Sequence, residues 1–325
     1  MKPHRRRFLH LVAGTVALPA ALRGVSAQDY PRRPVRIIVG FASGSALDIL
    51  ARLIGQLLSK RLGQPFVVED RPGAGGNLAA EAVVHARPDG YTLLLAGSPD
   101  AINATLYENL NFKFLRDIAP VAGISRAPNV MVAHPSFPAK TVPEFIAYAK
   151  ANPGKISFAS AGIGSTSHVS GELFSVMAGV RMVHVPYRGL PQALTDLIGG
   201  RVQVTFSTMA PALGYVRSGT LRAFAVTSAT RSDAVPDLPT IGDFLPGYEA
   251  SLVSGLGVPK NTPAEIVQTL NTEINASLAN PEIKARLDEL GNVPIPMTAA
   301  EFGALMAEET EKWGKVVKFS GAKTE

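Results

Sequence analysis

The chain has 325 residues, with 32 Lys and Arg against 26 Asp and Glu, six His, no Cys and a formal charge of +6. At roughly 150 residues per domain this length suits about two domains, and 46% hydrophobic with 18% charged residues excludes a disordered chain. The lack of cysteine excludes disulfides, cysteine zinc sites, thiolate nucleophiles and cysteine-linked lipids.

The positive charge is concentrated at one end. Residues 1–27 hold Lys2, Arg5, Arg6, Arg7 and Arg23 and no acid, so residues 28–325 carry 27 bases and 26 acids, a charge of +1. A basic start, an apolar run from Phe8 to Leu22 and the small residues Val25-Ser26-Ala27 form the layout of an export signal cleaved after Ala27. The arginines just before Phe8-Leu9 match a twin-arginine signal, with general secretion as the alternative. No later apolar stretch approaches about 18 residues, so the remainder is expected to be soluble and to work outside the cytoplasm. Its near-neutral charge gives no field for nucleic acid.

From Val35 onward, short β-branched runs alternate with amphipathic ones. Val35 to Phe41, Pro65 to Glu69 and Tyr91 to Ala96 read as strands, and Asp48 to Leu62 and Asn77 to Ala86 as helices. The pattern restarts after Arg126-Ala127-Pro128, with strands at 129–133, 156–159, 182–185, 202–206 and 221–227. Helices are expected between them at 141–151, 168–178, 191–198 and 210–218. Such alternation predicts an α/β fold of mostly parallel sheets flanked by helices. The tail predicts three helices, 263–278, 281–290 and 299–319, with no sheet of their own. They are expected to return to the first domain, giving lobe 1 as residues 28–127 plus 253–325 and lobe 2 as 128–252, with two chain crossings as a hinge.

Three loops each follow a predicted strand and open a predicted helix. They are Phe41-Ala42-Ser43-Gly44-Ser45-Ala46-Leu47-Asp48, Arg71 to Asn77 around Gly73-Ala74-Gly75-Gly76, and Ser160-Ala161-Gly162-Ile163-Gly164-Ser165-Thr166-Ser167-His168. Ligands of open α/β sheets bind beyond the carboxyl ends of strands. Glycine turns, hydroxyls and helix N-termini there make a cradle for an anion, or simply tight turns with capped helices. A nucleotide P-loop is absent, and Gly162-x-Gly164 lacks the third glycine and the later acid of a dinucleotide site, so a small carboxylate fits better. No Gly-x-Ser-x-Gly or His-Glu-x-x-His occurs, and the later histidines show no metal spacing; no enzyme, metal or cofactor is expected. His168 either contacts the ligand or packs against its neighbours. Asp48 either fixes a ligand group or caps a helix. Arg188, in Tyr187-Arg188-Gly189, is either a bidentate carboxylate partner or a solvated surface group. Ser98, just past a strand end, joins the candidates.

Long ordered strings resemble the substrate-binding proteins of tripartite tricarboxylate transporters, the Bug family. They include Tyr30-Pro31-x-x-Pro34-Val35-Arg36, Val68-Glu69-Asp70-Arg71-Pro72-Gly73-Ala74-Gly75-Gly76, Pro88-Asp89-Gly90-Tyr91-Thr92-Leu93-Leu94 and His184-Val185-Pro186-Tyr187-Arg188-Gly189. The resemblance implies a two-lobed, type II-like periplasmic binding protein with its ligand cleft between the lobes. It implies capture of a small organic carboxylate for delivery to the permease subunits of such a transporter; a periplasmic sensor, or a hydrolase, is the alternative. It places the ligand at 41–48 and 160–168, with Gly75 and Asn77 in one turn, Tyr187, Arg188 and Gly189 in another, and Phe206, Ser207 and Thr208 lining the cleft from the second lobe. This chain departs from the family's Phe-x-Pro-Gly-Gly-x-x-Asp in having Ser43-Gly44-Ser45, which removes a glycine and adds two hydroxyls.

Overall fold

The computed structural model describes residues 30–324; the export signal expected at 1–27 lies outside them. The strand Val35–Val39 (β1) is buried except at Arg36 and leads into the helix Ala46–Leu62 (α1), whose Leu47, Leu50, Ile54 and Leu58 face the core. Ser45 starts this helix by accepting the Asp48 N–H at 3.2 Å, and Gly63, at φ 71°, ends it. The helix therefore begins two residues before its expected start, because its cap is Ser45 rather than Asp48. Phe66–Asp70 (β2), Asn77–Val84 (α2) and Thr92–Gly97 (β3) follow.

An unexpected helix, Ser98–Leu106 (α3), comes next, then Phe114–Asp117 (α4) and the long strand Ile118–Ala133 (β4). Its SPDAINATL sequence has weak intrinsic helix preference; burial of Ala101, Ile102 and Leu106 decides its conformation. The second half runs Val142–Ala151 (α5), Ser157–Ser160 (β5), Thr166–Ala178 (α6), Val183–Pro186 (β6), Leu190–Ile198 (α7), Val204–Thr208 (β7), Met209–Arg217 (α8) and Arg222–Val226 (β8). The strand Ser251–Pro259 (β9), the helices Ala264–Leu278 (α9) and Pro281–Glu289 (α10), the short strand Val293–Pro294 (β10) and the helix Ala299–Ser320 (α11) complete it.

The strands run in the order β2-β1-β3-β9-β4-β7-β5-β6, with β8 and β10 also on β4. Each lobe has a parallel trio, β2-β1-β3 in one and β6-β5-β7 in the other, and β4 and β9 join them antiparallel. Within β4 the partner changes between adjacent residues: Pro128 pairs with Ser251 of β9, and Asn129 with Thr208 of β7. β9 escaped the sequence pattern because all nine of its residues are buried, which removes the apolar–polar alternation. Its Gly255 is obligatory, since a Cβ there would collide with the Phe302 ring.

α9 and α10 pack Ile266, Leu270, Ile274 and Leu287 into the same core as Ile37 and Leu50. α11 lies against both α3 and α6, so it spans the two lobes. Its Trp313 is fully buried and donates to Glu309 at 2.8 Å; Glu309 also accepts from Ser98 Oγ at 3.0 Å, and Ser98 Oγ takes the Val253 N–H at 2.9 Å. This polar node fastens α11, α3 and β9 together beside the crossing.

Candidate functional site

Two neighbouring cavities lie between the lobes and share Phe41 and Ala161 as walls. The narrow one, about 30 Å³, is walled by the first turns of five helices: Ser45, Ala46 and Leu47 of α1, Pro99 of α3, Ser165, Thr166 and Ser167 of α6, Leu190 of α7 and Thr208 at the head of α8. First-turn N–H groups have no intrahelical acceptor, and each helix start carries about half a positive charge. The small volume, close to one water's share of liquid, suits a single polar group. Thr208 Oγ1 is buried there without a partner and does not cap its own helix.

The wide cavity, about 470 Å³, is bounded by Pro72 to Gly76, Tyr107, Gly162 and Ile163, and Pro186 to Arg188. A larger open depression of about 680 Å³, where α3 and α11 end, shares Tyr107 with the wide cavity but includes no residue of the three glycine loops.

The loops are built by their own side chains. Asp48 Oδ2 accepts the Gly44 N–H at 2.8 Å and the Ser43 hydroxyl at 3.3 Å, while Oδ1 pairs with Arg52 at 2.6 Å. Arg52 also reaches Asp70, whose carboxyl is pushed up by burial and by Asp48. In lobe 2, Gly162 N–H donates to Ser160 Oγ, Gly164 N–H to His168 Nδ1 and Ala161 N–H to Ser167 Oγ. The amides of Gly44, Gly162 and Gly164 are thus spent inside the loops, which leaves helix first turns, whose N–H groups have no intrahelical acceptor, as the donors near the narrow cavity. Asp48 is a brace for its loop.

His168 lies behind the loop, stacked on His184 with ring centroids 4.1 Å apart, and His184 stacks on Phe158 and bonds Ser160 Oγ at 2.7 Å. Burial and the neighbouring His184 lower the His168 pKa to about 3, and burial lowers that of His184 to about 4, so both rings are neutral near pH 7 and His168 Nδ1 can accept the Gly164 N–H. Tyr187 lines the wide cavity while its hydroxyl donates to Asp196 at 2.8 Å. Arg188 is exposed at the rim.

The lobes meet through glycines. A Cβ on Gly189 would come within 3.0 Å of Ala42, one on Gly44 within 3.5 Å of Pro191, one on Gly75 within 2.6 Å of the Ile163 carbonyl, and one on Gly164 would strike Asn103 Oδ1. Asn103 donates to the Gly75 carbonyl at 2.9 Å and to Asn77 Oδ1 at 3.3 Å, with its own Oδ1 unpartnered and facing Gly164. Phe41, Ser45, Gly75, Ala161, Gly162, Ser165, Thr166, Tyr187 and Arg188 therefore line the cavities, and Ala42, Gly44, Gly164 and Gly189 form the lobe contacts. Ser43, Asp48 and His168 belong to the loop braces described above, and four further candidates lie elsewhere. Ser98 is in the hinge node, Asn77 pairs with Asn103, Phe206 is wholly buried against Phe174, and Ser207 donates to the Thr208 carbonyl. Of the string Phe206-Ser207-Thr208 that the resemblance placed at the cleft, the residue that lines a cavity is Thr208, at the strand's carboxyl end. Asn103 and Tyr107 were missed with the helix that carries or ends in them.

A family model described as the tripartite tricarboxylate transporter family receptor matches residues 50–321. The chain belongs to this receptor family. It is 35% identical over 320 residues to protein BugT of Bordetella pertussis, covering 98% of each chain. A structure of Rpa4515 of R. palustris with adipate matches with a TM-score of 0.88 at 36% identity, over 91% of this chain and 99% of that one. MatC of Rhodopseudomonas palustris with bound malate matches at 0.84 and 34% identity, over 89% of this chain and 100% of that one. As in any two-lobed receptor, ligand shifts the equilibrium only by its extra affinity for the closed state. The glycine contacts on either side of the cavities are where the two lobes touch.

Proposed function

We propose that this receptor captures a small organic carboxylate between its lobes and presents it to the permease subunits of a tripartite tricarboxylate-type transporter. The observation that carries this reading is the convergence of five helix N-termini from both sheets on one small cavity that also holds an unpartnered hydroxyl. Such a site attracts one carboxylate group without a cationic side chain. The structures of relatives with adipate and with malate support the same ligand class. Residues 28–127 plus 253–325 form one lobe and 128–252 the other, a division supported by the change of β4 partners between Pro128 and Asn129. Residues 1–27 direct the chain to the periplasm; among the described residues no helix is long and apolar enough to cross a membrane.

A thermal-shift panel of organic acids tests the reading. Binding to the native state alone raises the transition by RT ln(1 + [L]/Kd), about 2.7 kcal/mol at a hundredfold excess over Kd. At least one carboxylate should give a saturable rise with one site per chain. A panel in which only neutral or cationic solutes shift the transition contradicts it.

A further inference from the structure

We infer that the carboxylates this receptor selects carry an unsubstituted apolar body, an alkyl chain or aromatic ring, and that hydroxylated acids of the same length and charge are rejected. The inference rests on the carboxylate reading above and names the substrate class within it. The narrow cavity has room for one polar group, so the remainder of the ligand must occupy the wide cavity that shares Phe41 and Ala161 with it. The side chains there are Phe41, Pro72, Tyr107, Ile163, Pro186 and Tyr187 besides alanine and glycine, with Arg188 as the one charged group. Asp196 already engages the Tyr187 hydroxyl. No Ser, Thr, Asn, Gln, Asp, Glu or His side chain is among the walls. A hydroxyl on the ligand body would meet walls whose side chains, apart from the Tyr107 hydroxyl and Arg188, are proline, isoleucine, alanine and ring carbon, and burying a polar group without a hydrogen bond is unfavourable. The Arg188 guanidinium stands at the rim and can meet a second carboxylate at the far end of a chain, so the selection acts on the body and not on the number of acid groups.

Matched pairs isolate this property. Titration calorimetry on the purified protein would compare hexanoate with gluconate, and adipate with galactarate, each pair equal in carbon number and charge and differing only in hydroxyls. The unsubstituted acid of at least one pair should bind at least tenfold more tightly, and Ile163→Asn, which adds a polar wall, should narrow that ratio. Gluconate and galactarate each binding as tightly as its partner overturns the inference while leaving carboxylate capture intact. An Ile163→Asn ratio equal to that of the unaltered protein overturns the assignment of selectivity to this cavity. If none of the four acids binds, and a wider carboxylate panel also fails, the underlying reading falls with it.

Discussion

Thr208 Oγ1 is buried at the head of α8 with no partner, and the cavity it lines is also bounded by residues at the starts of α1, α3, α6 and α7. A hydrogen bond from it to a bound carboxylate would contribute about 1.5 to 3 kcal/mol, as is typical with a charged partner. Thr208→Val keeps the shape and removes the donor, so affinity should drop about tenfold or more while the ligand-free melting temperature does not fall. An unchanged dissociation constant would remove Thr208 from the site. The histidine pair gives a second prediction. The folded-state pKa values, about 3 for His168 and about 4 for His184, lie below the unfolded value near 6.5. Between them the unfolded chain binds more protons, so their contribution is fully present above about pH 6.5 and is lost as pH falls, by about 1.4 kcal/mol per unit for His168 once well below 6.5. Asp100, raised to about 7 by burial, acts in the opposite sense as pH rises from about 4. His168→Gln should therefore flatten the acid limb of melting temperature against pH, and superimposable profiles would refute the neutral-histidine brace. At this scale the sequence showed the loops but not which atoms they leave free. The Ser45 and Ser165 caps follow from local pattern, whereas the capture of the Gly44 amide by Asp48 and of the Gly164 amide by His168 depends on rotamers that spacing does not fix.

Among the elements, α3 and α11 do the connecting. α3 brings Asn103 against Gly164 of the opposite lobe, where a Cβ would strike the amide oxygen and where φ is +85°. Gly164→Ala should weaken ligand binding at least tenfold by opposing closure. A double-mutant cycle with Asn103→Ala should show coupling above about 0.5 kcal/mol, as residues in contact do; strict additivity would mean the two do not meet in the bound form. Where α11 meets α3 and β9, Glu309→Ala strips the acceptor from buried Trp313 Nε1, while Ser98 Oγ keeps the Val253 N–H and the Ser251 carbonyl; one unsatisfied buried group costs about 1–3 kcal/mol. Its melting temperature should fall by several degrees, and no fall would show that the node is dispensable. The βα units and tail helices were legible because their apolar residues recur at strand or helix spacing. α3 and β9 were not: one is a weak helix former held by burial, the other a strand buried on both faces with Gly255 fitted to Phe302.

For the whole molecule, the charge of +1 on residues 28–325 leaves no long-range field to gather anions. Attraction must be local, from helix ends shielded from solvent, which salt screens less than surface charge. Carboxylate affinity should accordingly change less than about threefold between 20 mM and 300 mM salt in calorimetric titrations, and a tenfold loss would implicate exposed Arg188 as the main anchor. The two-lobed plan could be anticipated from the restart of the pattern after Pro128. The bridging role of α11 could not, because its apolar face reads the same whether it covers one lobe or two. The central claim is that helix N-termini and hydroxyls in the interlobe cavity recognise one carboxylate group. It is tested most directly by calorimetric comparison of the tightest-binding acid with its own neutral carboxamide. The account predicts one site per chain for the acid and at least hundredfold weaker binding of the amide; equal affinities for the two would contradict it.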